Sequence, residues 1–298
     1  MFQWVKLRDG ASLFVRIWGK GEPVLVLSGL GMSSRHWWPF LLPWRRHYQF
    51  IIPDFRGVGH SSHVALRHPD AFQGHREDVE DIVRSLRLDN IRLIGYSLGA
   101  SVAWHWQRDG GFRWVQRYLN IDQSPCIVNQ PDWPYGVMGK RQDKFFNALQ
   151  LLLRQLHECG DVEFLWNLSV ADRQKLLGSW ADLARYHFRS AAAARLLNWS
   201  VRWPHLLTHW FPMSRLADMR IYLTSYLQAP DYRPSLQHCS VPVTVFIGQK
   251  SWFYPEAGQQ QYRHWLPDCR LVQFAHSGHL IPLQEPRRFV EELGRFLA

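Results

Sequence analysis

A serine between two glycines is the residue of this chain best suited to nucleophilic chemistry. The segment Gly95-Tyr96-Ser97-Leu98-Gly99 follows the apolar run at 90–94 and precedes a helix-like run that begins at Ala100. A serine on a sharp turn between a strand and a helix presents its hydroxyl to a carbonyl carbon. Glycines on either side fit this turn because a Cβ there would clash with the backbone. The spacing predicts that Ser97 is a nucleophile; an ordinary glycine-bounded turn is the alternative.

Three other segments follow strand-like runs, as the partners of such a serine should. They are the loop at 28–32 after the run at 23–27, the turn at 54–61 after the run at 51–53, and the loop at 274–279 after the run at 270–273. The second of them has the pattern D-x-R-G-x-G-x-S. Together with G-x-S-x-G, the segments resemble the motifs of the α/β-hydrolase superfamily, in the same order and over nearly the whole chain.

The resemblance implies an α/β fold with a mostly parallel central sheet of the α/β-hydrolase type and an inserted helical cap. It also implies an oxyanion hole formed by the backbone N–H groups of Leu30 and Leu98, although Ser28 stands where a histidine is usual. Such a site needs no metal and no cofactor. The sequence agrees, because it has no H-E-x-x-H motif and no Cys/His cluster with zinc spacing.

Two histidines compete for the role of general base. His279 follows Ser277-Gly278 and precedes a helix that we expect to begin near Pro286, which is the usual arrangement in the superfamily. His276 lies three residues earlier in the same loop. We therefore assign the base to His279 and interpret His276 as a hydrogen-bonded loop residue.

The acid of the expected triad is missing from its commonest position. The segment at 248–255 matches G-x-x-D-x-x-x-P except that Ser251 replaces the aspartate, and a hydroxyl cannot stabilise an imidazolium by charge. Asp122 follows the strand-like run at 115–121, where some superfamily members carry the acid, and the carboxyl ends of parallel strands share one edge of the sheet. We therefore predict Asp122 as the acid. Glu256 is a weaker rival, and a turn-capping role for Asp122 is the alternative.

The alternation of strands and helices predicts one large core interrupted by an insert. An initial hairpin at 2–8 and 12–18 is followed by strands near 23–27, 48–53, 90–95 and 115–121, and the sheet resumes at 241–247. Between them, the runs at 145–153, 171–186, 190–198 and 216–227 look helical. We divide the chain into a first core part at 1–127, a helical cap or lid at 128–236 and a second core part at 237–298.

Composition limits the partners and the compartment. The net charge of +10 comes mostly from dispersed arginines, and no nucleic-acid-binding motif is present, so a nucleic acid is not expected. Peripheral binding to an anionic surface stays open. The four cysteines form no C-x-x-C motif, and neither a signal peptide nor an apolar stretch of membrane-spanning length is evident. A cytoplasmic protein without an integral membrane segment is the expectation.

These features predict a serine hydrolase that cleaves a hydrophobic carboxylic ester through an acyl-enzyme intermediate. Thioesterase, lactonase, acyltransferase and perhydrolase activities would use the same triad, and the sequence does not separate them. A ligand-binding, receptor-like protein with a slow or inactive site is the alternative from another class. Ser251 favours that alternative, and an intact Ser97 and His279 weigh against it.

Overall fold

An eight-stranded sheet forms the centre of the protein, in a computed structural model that describes residues 1–185 and 215–298. Its order is β1-β2-β4-β3-β5-β6-β7-β8. The strands are β1 (Phe2–Lys6), β2 (Ser12–Gly19), β3 (Glu22–Leu27), β4 (Tyr48–Pro53), β5 (Ile91–Tyr96), β6 (Val115–Ile121), β7 (Val243–Gly248) and β8 (Cys269–Phe274). β1 and β2 form an antiparallel hairpin, β2 pairs antiparallel with β4, and the pairs from β4 to β8 are parallel. The predicted hairpin and the mostly parallel sheet are confirmed.

The central strands are largely apolar because both faces of the sheet are covered. Val24 and Val26 of β3 pack into one hydrophobic cluster, whereas Leu25 and Leu27 pack into another on the opposite face. A strand buried on both faces gains from an apolar residue at every position. This is why the runs could be recognised as strands without an alternating pattern.

Helices cover the two faces of the sheet, and a helix ends the chain. The longer ones are α1 (Ala71–Ser85), α2 (Leu98–Arg108), α3 (Gln142–Glu158), α4 (Val170–Arg185), α5 (Leu216–Leu227) and α6 (Pro286–Leu297), and shorter α-helical segments occupy Trp38–Leu41, Arg233–Leu236, Glu256–Gln259, Tyr262–Trp265 and Ile281–Gln284. Single 3₁₀ turns lie at Ser34–Trp37, Leu42–Trp44, Gly59–Ser61, Gly111–Trp114, Gly139–Arg141 and Leu165–Asn167. The helix expected near Pro286 is α6, with proline in its first turn, where its missing N–H leaves no bond unmade.

The segment between β6 and β7 is largely helical in the described residues. It contains α3, α4 and α5, and α3 packs against both of the others. Its β pairing in the described part consists of isolated bridges, such as that between Phe164 and Arg215. The helix predicted at 190–198 lies outside the described residues, as does the end of the one predicted at 171–186.

The D-x-R-G turn is held by a buried ion pair. The Arg56 guanidinium donates two hydrogen bonds of 2.7 Å to the Asp78 carboxylate on α1 and a third, of 2.9 Å, to Asp9. Asp54, two residues earlier, accepts bonds from the backbone N–H groups of Ser34 and His60. The motif therefore fastens the loop after β4 to α1 and to the loop before β2.

We expect Asp78→Ala to lower the free energy of unfolding by about 3 kcal/mol, because it leaves most of a buried guanidinium charge unpaired. Urea denaturation measures the loss. Asp81→Ala is the matched control on the same helix, since Asp81 pairs with a half-exposed Arg8, and it should cost about 1 kcal/mol or less. Equal losses in the two variants would contradict this account of the buried pair.

Candidate active site

Ser97 lies on a sharp turn between β5 and α2. Its φ and ψ angles are 52° and −118°, a conformation that a non-glycine residue adopts only when its surroundings enforce it. A Cβ on Gly95 would come 2.7 Å from the Ala100 Cα, and one on Gly99 would come 2.1 Å from the Leu27 carbonyl oxygen. The two glycines thus let the turn pack against its own helix and against β3, which leaves the hydroxyl of Ser97 pointing into a cavity.

The structure brings His279 to the serine and places His276 elsewhere. The Nε2 atom of His279 lies 3.0 Å from Ser97 Oγ, and its Nδ1 atom lies 2.7 Å from Asp122 Oδ2. His276 is exposed, and its backbone N–H donates to Glu285. The Gly278 N–H donates a bond of 2.7 Å to Gln284, so the loop that carries His279 is fixed next to the ring.

Asp122 is fully buried at the carboxyl end of β6, and both of its carboxylate oxygens accept hydrogen bonds. Oδ2 accepts from Ser251 Oγ at 2.7 Å, and Oδ1 accepts from the Gly248 N–H at 3.1 Å and from Gln259 Nε2 at 2.9 Å. Its own φ of 44° turns the backbone at the strand end. Charge-assisted bonds of this kind stabilise the ionised carboxylate and fix its direction.

The rival acid is directed away from this arrangement. The carboxylate of Glu256 accepts hydrogen bonds from Gln249, Gln260 and Gln273 on the surface. Ser251, at the usual position of the acid, donates to Asp122. Ser251 does not replace the acid of the triad. Its hydroxyl instead stabilises the Asp122 carboxylate, which contacts His279 from the neighbouring strand.

The two residues predicted to form the oxyanion hole, Leu30 and Leu98, lie in the loop after β3 and at the start of α2. Leu98 is the first residue of α2, where an N–H has no acceptor within the helix. Leu30 follows β3 in a turn that is closed by a bond from the Met32 N–H to the Gly29 carbonyl. Gly29 and Leu30 line the cavity next to Ser97, and Leu98 directly follows Ser97 in the chain; the role of their N–H groups as an oxyanion hole stays a prediction.

The cavity that opens at Ser97 and His279 has a volume of about 290 Å³ and is mainly apolar. Among the described residues, the insert contributes Phe145 and Leu149 from α3, Trp180 and Leu183 from α4, and Met219, Tyr222, Leu223 and Tyr226 from α5. The core side contributes Gly29, Leu30, Met32, Tyr96, Phe253 and Leu280. An apolar chamber of this kind binds hydrocarbon groups through burial of their surface.

Three residues of the site could not be assigned from the sequence. Gln259 bonds Asp122 from a short helix with no motif of its own, so no sequence signal identified it. Tyr96 and Phe253 place their rings against the His279 imidazole. Tyr96 could have been considered from the sequence, because it directly precedes Ser97 within the G-x-S-x-G motif.

Residues 1–185 and 215–298 contain no cluster of three or more His, Cys, Asp or Glu side chains that could hold a metal ion. In the same ranges, no helix is both long and apolar enough to cross a bilayer.

Comparison with known families decides the relationship that the motifs indicate. The model of the alpha/beta hydrolase family matches residues 24–292. The chain belongs to this family. As an alpha/beta hydrolase, it is 24% identical to a pimeloyl-[acyl-carrier protein] methyl ester esterase from Nitrosomonas europaea, over 94% of this chain and 97% of the relative. It is 29% identical to the non-heme chloroperoxidase CPO-A1 from Kitasatospora aureofaciens, over 97% of each.

Solved structures agree on the fold of this alpha/beta hydrolase. An esterase from Exiguobacterium antarcticum superposes with a TM-score of 0.75 at 21% identity, over 99% of both chains. The predicted family and its mostly parallel α/β-hydrolase sheet are therefore confirmed, and the inserted cap stays a prediction.

Proposed function

We propose that this alpha/beta hydrolase is a serine hydrolase that cleaves a hydrophobic carboxylic ester through an acyl-enzyme. One observation carries the proposal: a hydrogen-bond chain runs from Ser97 through His279 to Asp122, and its Ser97 end opens into an apolar cavity. Both links of the chain have the length of a direct hydrogen bond, which is the geometry that a nucleophile and its base need.

In the proposed reaction, Ser97 Oγ attacks the ester carbonyl carbon while His279 Nε2 accepts the hydroxyl proton. The N–H groups of Leu30 and Leu98 donate to the oxyanion of the tetrahedral intermediate. The imidazolium then protonates the leaving alcohol as its bond to the acyl carbon breaks. A water molecule, deprotonated by His279, attacks the acyl-enzyme and releases the acid together with Ser97.

Asp122 has the surroundings of a triad acid. Its Oδ2 accepts from His279 Nδ1, which selects the tautomer with a free Nε2, and its charge stabilises the imidazolium that forms. The three further donors to the carboxylate keep it oriented without competing for the ring. The arrangement supports an active site in spite of Ser251 and weighs against the receptor-like alternative.

The insert supports the proposal of a cap at 128–236 between core parts at 1–127 and 237–298. Its three described helices supply half of the cavity lining, opposite the core loops that hold Ser97 and His279. A substrate acyl group attached to Ser97 would therefore extend between the insert and the core. The named esterase among the relatives acts on an acyl ester, which agrees with a substrate of this class.

The cavity wall predicts chain-length selectivity. Leu149→Trp adds volume on the buried face of α3, so we expect the turnover of p-nitrophenyl octanoate to fall at least about tenfold relative to p-nitrophenyl acetate, because overpacking excludes the longer chain. A hydrolysis screen across acyl-chain lengths measures the ratio. Leu151→Trp is the matched control, since Leu151 is exposed on the same helix and should leave the ratio unchanged. A parallel loss on short and long esters would contradict a selective role for the insert.

A fluorophosphonate probe tests the catalytic proposal itself. The probe should label Ser97 covalently at a rate that depends on His279, whereas a receptor-like protein with an inactive site would stay unlabelled. Product analysis with thioesters, lactones, alcohol acceptors and hydrogen peroxide then separates hydrolysis from acyl transfer and perhydrolysis on the same triad. Hydrogen peroxide is included among the acceptors because one relative of this chain is a non-heme chloroperoxidase.

Three expectations stay predictions. They are catalysis without a cofactor, a cytoplasmic location, and the absence of a nucleic-acid partner. Peripheral contact with an anionic surface remains open on the charge of +10 alone.

A further inference from the structure

Two aromatic rings flank the imidazole of His279. The ring centroid of Phe253 lies 4.9 Å from that of the imidazole with an interplanar angle of 28°, and the ring of Tyr96 lies at 5.4 Å and 26°. Both are stacked arrangements. The edge of the imidazole is occupied by the bonds to Asp122 and Ser97, so the aromatic rings contact the remaining surface, the π faces.

Tyr96 connects the nucleophile and the base directly. It precedes Ser97 in the chain, and its hydroxyl donates a hydrogen bond of 3.0 Å to the backbone carbonyl of His279. A Cβ on Gly29 would come within 3.1 Å of the Tyr96 ring, so the ring is also held from the side of the oxyanion loop. The position of the serine on its turn therefore fixes the position of the histidine.

Among the described residues, the groups beside the imidazole carry one formal charge, that of the Asp122 carboxylate. The other groups are the Ser97 hydroxyl and the aromatic rings of Phe253, Tyr96 and Tyr254, the last of which is tilted at 5.8 Å from the imidazole. Burial raises the pKa of Tyr96 and of Tyr254 well above the usual range, so both phenols stay neutral and add no charge beside the imidazole.

We propose that Tyr96 and Phe253 are positioning residues that fix the plane of the His279 ring and stabilise its protonated form. The inference rests on the proposed function. An aromatic face attracts a cation through its quadrupole, and the attraction is larger for the imidazolium of the transition state than for the neutral ring of the ground state. The same contact prevents the ring from rotating away from Ser97, which keeps Nε2 in line with the hydroxyl.

Phe253→Leu tests the stabilisation of the cation, because leucine keeps an apolar neighbour of similar size but removes the π face. The acid limb of the pH profile of kcat/KM should move to lower pH by about half a unit, and the plateau kcat on p-nitrophenyl acetate should fall about two- to fivefold. The sign follows from the cation: a less stabilised imidazolium loses its proton at lower pH. A short ester is used because Phe253 also lines the cavity and would alter KM for long chains.

Two companion variants separate charge from shape. Phe253→Tyr retains the aromatic face and should retain the midpoint of the acid limb. Tyr96→Phe retains the ring but removes the bond to the His279 carbonyl, so kcat should fall about two- to tenfold with KM and the midpoint unchanged. Thermal unfolding of each variant establishes that it is folded before the rates are compared.

The outcome is independent of whether the protein hydrolyses esters. The midpoint of the His279 ring titration is also read by NMR, with His279→Gln to assign its signals, and this measurement needs no turnover. If Phe253→Leu leaves the NMR and kinetic midpoints where they are in the wild type, the proposal is overturned. If the wild type takes no fluorophosphonate while the NMR midpoint shifts as expected, the proposed function fails and the cation-stabilising contact stands.

Discussion

Asp122→Asn should lower the turnover of a carboxylic ester by about 10⁴-fold. Asparagine keeps the shape of the side chain but has no negative charge to stabilise the imidazolium of His279. Its amide can also donate to Nδ1, which selects the tautomer whose Nε2 already carries a proton and cannot accept one from Ser97. Steady-state kinetics on p-nitrophenyl esters measure the loss, and circular dichroism establishes that the fold is retained.

Ser251 provides the control and a rescue. Ser251→Ala removes one of the donors to Asp122 and should cost at most about 10- to 100-fold, the range of one charge-assisted bond. Asp122→Asn combined with Ser251→Asp should recover part of the lost activity, because the Ser251 Oγ already lies 2.7 Å from the oxygen that contacts His279. A nearly silent Asp122→Asn together with a severe Ser251→Ala or Glu256→Gln would show that the acid is another residue.

Ser97→Ala should abolish both ester hydrolysis and covalent labelling by a fluorophosphonate, with a loss of roughly 10⁶-fold in kcat. The loss exceeds that of Asp122→Asn because, among the described residues that line the cavity, Ser97 carries the one aliphatic hydroxyl and none carries a thiol. The other hydroxyls of the lining are the phenols of Tyr96, Tyr222 and Tyr226. Labelling followed by mass spectrometry of the modified peptide measures the effect and identifies the residue.

Ser101→Ala is the matched control for the nucleophile. Ser101 lies one helical turn later on α2, is fully buried and bonds Gln123, so its loss should leave labelling at Ser97 in place. Undiminished turnover by Ser97→Ala would refute the nucleophile assignment and leave the family membership unaffected.

The sheet and the order of the motifs could be predicted because each depends on local sequence. Residues 24–27 are continuously apolar and residues 91–96 are apolar apart from Arg92, since their strands are buried on both faces, and Gly95 and Gly99 are required by the close approach of the turn to Ala100 and Leu27. Elements of this kind carry their signal within a few residues.

The surroundings of the site could not be predicted, because they join residues far apart in the chain. The contact between Asp122 and His279 spans 157 positions, and that between Asp122 and Gln259 spans 137. No local pattern distinguishes a glutamine that donates to a buried carboxylate from one on a helix surface. The rings of Tyr96 and Phe253 reach His279 through the same distant packing, so the sequence could place Asp122 on the correct edge without showing what holds it there.

The position of β7 and β8 at the edge of the sheet has a consequence for synthesis on the ribosome. The proposed nucleophile, Ser97, and the proposed acid, Asp122, are translated with the first six strands, whereas the proposed base, His279, follows 157 residues after Asp122. At bacterial and eukaryotic elongation rates this interval lasts roughly 10–30 s. Until β7 (Val243–Gly248) is synthesised, the nascent chain presents the unpaired edge of β6, a strand whose last four residues are buried in the finished protein. Until His279 follows, the chain also lacks the proposed base for Ser97. We therefore expect the edge of β6 to be a site where chaperones bind during synthesis, before the proposed active site is complete.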